Sequence, residues 1–185
     1  MKVLTRTIGV AGALTRIGTT TQAIQIVKYL DLVGYPAAYI ELCNHAFINS
    51  CVETYADIKK TRGRFSLCDV NMYHSVREVE EEYAFLVKDY GNFNDRDFNR
   101  ISFLEQDIKV IVCGAKSDEL PHTEEILRTQ EFPEASYIFT FVPDDVRKSI
   151  IESMNGYATY FVEYTPDPFC YPATQNKLYK SALGL

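Results

Sequence analysis

Residues 8–33, IGVAGALTRIGTTTQAIQIVKYLDLV, constrain this chain more than any other stretch. They read as a buried strand, a glycine-bearing turn, three successive threonines and a helix with Ala23, Ile26, Val27 and Leu30 on one face. Strand, loop and helix in that order, with Gly and Thr at the junction, form the build of a phosphate-binding loop. Backbone N–H groups and the positive end of the helix converge there on one anion. Such a loop ordinarily carries a lysine between its last glycine and the threonine that follows. Here Gly18-Thr19-Thr20 stands in that place, so the cradle is kept and its strongest charge is missing.

A chain of 185 residues supports one domain with a full core and at most a small appendage. Apolar residues at 46% against 24% charged describe a folded chain rather than a disordered one. The net charge of −6, with no compensating basic stretch, argues against a general nucleic-acid binder. The densest charge run, Arg77 to Glu82, reads as a solvated acidic helix face. No apolar run approaches the roughly 18 residues of a membrane span, and the N-terminus lacks a signal-peptide pattern, so the expected location is the cytoplasm. Cys43, Cys51, Cys68, Cys113 and Cys170 include no Cys-x-x-Cys pair and suit a reducing compartment. His45, His74 and His122 are too scattered for metal-ligand spacing and read as surface or capping residues.

Strand and helix signals alternate along the chain. Strands are predicted at Thr7–Ala11, Ala37–Leu42, Arg64–Tyr73, Tyr83–Lys88, Ile108–Cys113, Tyr137–Val142 and Tyr157–Tyr164. Helices are predicted over 45–60, Val76–Glu82, the second part of Asn92–Gln106, Glu119–Thr129 and Asp144–Met154. The alternation predicts an α/β fold: a three-layer αβα arrangement with a mostly parallel twisted sheet and helices on both faces. Ligands in such sheets sit beyond the carboxyl ends of the strands. The turns that matter are then Gly12–Thr21, Glu41–Asn44, Asp89–Asn92, Gly114–Asp118 and Pro143–Asp145.

At these residues the sequence resembles the deviant phosphate-loop ATPases of the ParA/MinD type. Their loop has the form Lys-Gly-Gly-x-Gly-Lys-Thr-Thr, and Ile17-Gly18-Thr19-Thr20-Thr21 falls on its x-Gly-Lys-Thr-Thr. Leu14 then takes the place of the signature lysine, Thr15 and Arg16 of the two glycines, and Thr19 of the loop lysine, so both lysines are absent. The resemblance extends over about 3–165 and implies a phosphate-loop nucleoside-triphosphatase domain over 1–165, followed by a tail, 166–185, with a short final helix. It implies ATP and Mg²⁺ as cofactors, held by Gly12, Arg16, Gly18, Thr19, Thr20 and Thr21, with Thr20 and Asp89 at the metal. Glu41, near the end of the second strand, and Asp89, in YAFLVKDYG, stand near the family's two catalytic aspartates. A homodimer or a protein partner is implied as well, although the lysine that reaches across the family's nucleotide-sandwich dimers is the one replaced by Leu14.

Loss of the loop lysine removes a cation from the β and γ phosphates, and Thr19 offers only a neutral hydrogen bond in its place. The expected function is therefore weak ATP/Mg²⁺ binding with slow or absent hydrolysis, in a regulatory or partner-binding switch. One alternative is a scaffold that no longer binds nucleotide. Another is a dinucleotide-binding oxidoreductase, with Gly9 and Gly12 after the first strand and Glu41 at a ribose, although Gly-x-Gly-x-x-Gly does not occur there. Ala115-Lys116-Ser117-Asp118 matches a guanine-reading motif in part, with Ala where Asn is needed. In the tail, Leu178, Ala182 and Leu185 beside Lys177 and Lys180 have the makings of a membrane-touching helix. A segment so short is expected to dock on its own domain instead.

Overall fold

Strand β1 (Arg6–Gly12) lies in the interior of the sheet, in a computed structural model that describes residues 4–185. Met1 to Val3, which the sequence places in the 1–165 domain, lie outside the described residues. The chain continues through α1 (Thr19–Leu32), β2 (Ala37–Glu41), α2 (Phe47–Thr54), β3 (Lys59–Thr61), β4 (Arg64–Leu67), β5 (Val70–Tyr73), β6 (Phe85–Asn92) and α3 (Arg100–Leu104). It ends with β7 (Ile108–Cys113), α4 (Leu120–Thr129), β8 (Ser136–Phe139), α5 (Asp144–Ser153), β9 (Thr159–Phe161) and α6 (Asn176–Leu183).

The nine strands form one sheet in the order β3-β4-β5-β2-β6-β1-β7-β8-β9. All pairings are parallel except β3–β4 and β4–β5. From β1 the chain crosses to β2 in one direction, whereas β6, β7 and β8 each connect onward in the other. Because parallel crossovers are right-handed, that reversal puts α1 on one face and α3, α4 and α5 on the other. The expected three-layer α/β architecture is therefore present. The strand order also counts against a dinucleotide-binding oxidoreductase. There the second strand neighbours the first, whereas here β6 lies between β1 and β2.

The core strands β1, β2, β6, β7 and β8 are buried over most of their length, as parallel strands covered on both faces must be. Ile24, Ile26, Val27 and Leu30 of α1 are fully buried and join Val10, Val87, Val110 and Ile138 in the main apolar cluster. At one edge, β3 (Lys59-Lys60-Thr61) is wholly exposed, and its charges deter pairing with another chain.

Three local readings need correction. Helix 45–60 shrinks to α2, since Tyr55 turns extended and the chain then enters β3. The single strand 64–73 is a hairpin, because Cys68 and Asp69 both take left-handed angles, φ 49° and 66°, and reverse the chain. The acidic helix 76–82 is one 3₁₀ turn, Val76–Glu78, capped by Ser75. Helix α6 packs against α1: Tyr179 is fully buried, and its hydroxyl donates to Gln22 Oε1 at 2.8 Å. Gln25 Nε2 holds the carbonyls of Pro168 and Cys170 at 2.5 and 2.9 Å, while Lys177 and Lys180 face outward. No helix among the described residues is long and apolar enough to cross a membrane.

Candidate functional site

Beyond Gly12 the chain leaves the sheet, loops through residues 13–18 and enters α1. Both ends of the loop are anchored. Ala13 N–H donates to the Val112 carbonyl at 2.8 Å, Phe93 N–H to the Gly12 carbonyl at 3.0 Å, and Thr140 Oγ1 to the Ile17 carbonyl at 2.9 Å. Gly18, at φ 93°, caps α1 in a conformation that glycine takes without strain. Arg16 adopts φ 60° without that freedom, a strained conformation of the kind stored at functional loops. Among the described residues, no amide from Leu14 to Thr21 donates to a protein acceptor; the first to do so is Gln22 N–H, to Gly18 O at 2.9 Å. These amides face a cleft of about 670 Å³ whose walls include Leu14, Arg16, Gly18 and Thr19 to Thr21. A row of free donors at the positive end of a helix of 14 residues has the geometry that suits an anion.

Gly12 forms the base of this loop. A Cβ there would collide with Thr19 Oγ1 and approach the Leu14 carbonyl to 3.0 Å, so Thr19 turns back onto the loop and only glycine fits beneath it. Thr20 points into the site. Its hydroxyl donates to Asp89 Oδ2 at 2.6 Å, the Tyr39 hydroxyl donates to the same oxygen at 2.9 Å, and Gly91 N–H donates to Oδ1 at 3.0 Å. Asp89 is fully buried, and these three bonds satisfy its side-chain oxygens there. Burial, reinforced by the Asp89 charge, pushes the Tyr39 phenol well above its ordinary pKa and keeps it a donor. Burial, followed by the same charge, pushes the nearby Cys43 thiol up to about 12, so it supplies no thiolate.

Glu41 stands opposite Asp89 in the β2–β6 register, yet its side chain leaves the cleft. Oε1 accepts from Phe47 N–H at 2.5 Å and Oε2 from Ile48 N–H at 3.3 Å, and His74 Nδ1 lies 3.4 Å from Oε2. The carboxylate caps α2, where free amides and the helix dipole favour a negative charge. The structure thus brings together Gly12, Arg16, Gly18, Thr19, Thr20, Thr21 and Asp89, and places Glu41 beside a separate pocket of about 380 Å³. Lys116 is tied to Glu119 through both its amide and its ammonium, and none of residues 115–118 lines the main cleft.

Several residues in or behind the cleft escaped the sequence reading. Tyr39 passes for a core residue because it lies inside a buried strand. Asn92 lies in the turn marked as important, three positions past Asp89, but carries no motif. His45, expected at the surface or at a cap, lines the cleft. Phe141 and Tyr164, half or more exposed with ring centroids 5.4 Å apart, flank the cleft from two distant loops.

No protein-family model and no curated protein matches the sequence. Solved structures do match the fold. A plasmid partition protein from Borrelia burgdorferi B31 bound to AMPPNP aligns with a TM-score of 0.66 at 14% identity, over 98% of each chain. The MinD cell division protein of Aquifex aeolicus aligns at 0.62 and 14% identity, over 87% of this chain and 83% of that one. MinD from Pyrococcus horikoshii OT3, complexed with Mg-ADP, aligns at 0.56 and 11% identity, over 97% and 93%. The fold is that of the ParA/MinD-type ATPases. At such low identity the likeness extends to the ParA/MinD-type architecture alone.

Proposed function

We propose that this chain is a ParA/MinD-like nucleotide-binding protein of the cytoplasm that takes ATP with Mg²⁺ weakly, hydrolyses it slowly or not at all, and acts as a partner-binding switch. The observation that carries this reading is the Thr20–Asp89 hydrogen bond of 2.6 Å at the foot of a loop in which, among the described residues, the amides from Leu14 to Thr21 have no protein acceptor. A loop given over to scaffolding would satisfy those amides internally, since orphaned donors are costly.

Mg²⁺ fits the donor set. Thr20 Oγ1 and the Asp89 carboxylate are hard oxygens, and no cluster of three or more His, Cys, Asp or Glu among the described residues offers an alternative metal site. Too few protein ligands are present for a stand-alone site, so the ion would enter with the phosphate oxygens as its other ligands. When bound it would neutralise phosphate charge that the missing lysines do not. Thr20 would hold it, Asp89 would orient Thr20, and Tyr39 would keep Asp89 in place. The loop amides and α1 would bind the phosphates, with Arg16 the only cation of the loop itself.

Slow or absent turnover follows from Leu14 and Thr19, which stand where the family's lysines would, and from Glu41, whose carboxylate is engaged on α2. Partner binding, by a homodimer or another protein, is proposed from the company the fold keeps: the neighbours include a MinC:MinD complex and plasmid partition proteins. Calorimetric titration with Mg-ATP tests the reading. Saturable, Mg²⁺-dependent binding supports it. No binding, together with an empty loop in crystals grown from sulfate, replaces it with the scaffold.

A further inference from the structure

One buried polar group in the cleft has no partner in the protein. Asn92, 1% exposed, ends β6, pairs in register with Gly12 and lines the cleft. Its Oδ1 accepts Asn94 N–H at 3.0 Å, which identifies the other end of the amide as the donor Nδ2. That Nδ2 is closed off from solvent and has no acceptor. Buried donors are almost always satisfied, so one left open beside a row of free amides points to an acceptor that arrives with a ligand.

The surroundings hold Asn92 in place. Its N–H donates to Asp95 Oδ2 at 3.0 Å, and the same oxygen lies 3.2 Å from His45 Nε2. His45, from the loop after β2, also lines the cleft. Gly91, at φ 73°, allows the close approach: a Cβ there would stand 2.6 Å from Asp95 Oδ2, 2.9 Å from Cys43 Cβ and 3.2 Å from the His45 ring. Asp95 therefore ties the Asn92 backbone and the His45 imidazole to one carboxylate, past Asp89 towards the carboxyl end of β6.

We propose that Asn92 Nδ2, with the His45 imidazole beside it, recognises the terminal phosphoryl group, so that the cleft distinguishes a nucleoside triphosphate from a diphosphate without the loop lysines. This rests on the nucleotide-binding reading above. The inner phosphates, common to both ligands, use the loop amides and Thr20. Only a triphosphate extends to Asn92. Solvent does not reach Nδ2 in the free protein, so the contact is made only on binding.

The test is calorimetric titration of the full chain with a non-hydrolysable ATP analogue and with ADP, each with Mg²⁺. A hydrogen bond to a charged group predicts a preference of about tenfold for the triphosphate in the wild type. Asn92→Ala removes the Nδ2 donor without adding a charge, and it should bring the two affinities together, weakening the triphosphate analogue more than ADP. His45→Ala should narrow the preference, and it carries the test if Asn92→Ala does not fold. Variants that weaken both nucleotides equally, or change neither, overturn the inference and leave the nucleotide reading standing. If the wild type binds neither nucleotide, both fall.

Discussion

Thr19→Lys asks whether the loop has kept its shape and lost only its charge. Thr19 follows the capping glycine and is 8% exposed, with its hydroxyl turned back against Gly12. Among the described residues no loop side chain takes part in an ion pair, and Asp89 already receives three hydrogen bonds. A new ammonium at this position would therefore find its best partner in bound phosphate. One charge-assisted contact is worth about 1.5–3 kcal/mol, or roughly ten- to a hundredfold in affinity. Thr19→Met supplies similar length without charge and separates the cation from the bulk. Titrated with Mg-ATP, Thr19→Lys should bind more tightly than wild type and Thr19→Met should not, and the gap should narrow as salt rises. Hydrolysis is not expected from the variant, because Leu14 and the engaged Glu41 are unchanged. Equal affinity for the Lys and Met variants at low salt would refute the reasoning, since the phosphates would then not lie over position 19.

Thr20→Val keeps the shape and deletes the donor to Asp89; urea unfolding should show a loss of about 1–3 kcal/mol, and residual ATP binding should no longer respond to Mg²⁺. Gly12→Ala drives a Cβ into Thr19 Oγ1, so it should cost about 1–3 kcal/mol and abolish ATP binding; a normal titration would show that the loop is not packed as described. Asp107 accepts from Thr7 N–H at 2.7 Å and Thr7 Oγ1 at 2.9 Å, and these bonds hold its carboxyl below its ordinary pKa. A lowered folded-state value contributes stability above the unfolded pKa and loses it as the pH falls through the folded one, that is, below about 4. Asp107→Asn should therefore flatten the acid limb of stability, and an unchanged limb in urea midpoints across that range would contradict the assignment.

Much of the fold was legible because it is written in local periodicity. The apolar runs at 8–11, 37–40, 83–87 and 110–113 are long enough to be strands, and the face Ala23, Ile26, Val27 and Leu30 has helical spacing. The candidate site was legible for a related reason: in a parallel sheet the useful turns follow the strands, which singled out 12–21 and 89–92. The hairpin 64–73 was not, because its turn is Cys68-Asp69 and carries none of the Asn-Gly chemistry that marks such reversals. The short α2 was hidden by apolar spacing that continues through Tyr55, although the backbone has already turned extended there.

By itself the sequence determined the strand–loop–helix unit, the glycine at its cap, Leu14 and Thr19 in place of any loop lysine, and the α/β class, all of which depend on neighbours within a few residues. Tertiary structure decided which distant groups meet. Thr20 reaches Asp89 across 69 positions and Tyr39 reaches it across 50, through a strand order that puts β6 between β1 and β2. The same packing turned Glu41 onto the amides of α2 and left Asn92 Nδ2 without a partner. Hydrogen-bond satisfaction is settled over all neighbours in space, so a side chain whose partners lie on other strands has its role assigned only when the sheet has formed.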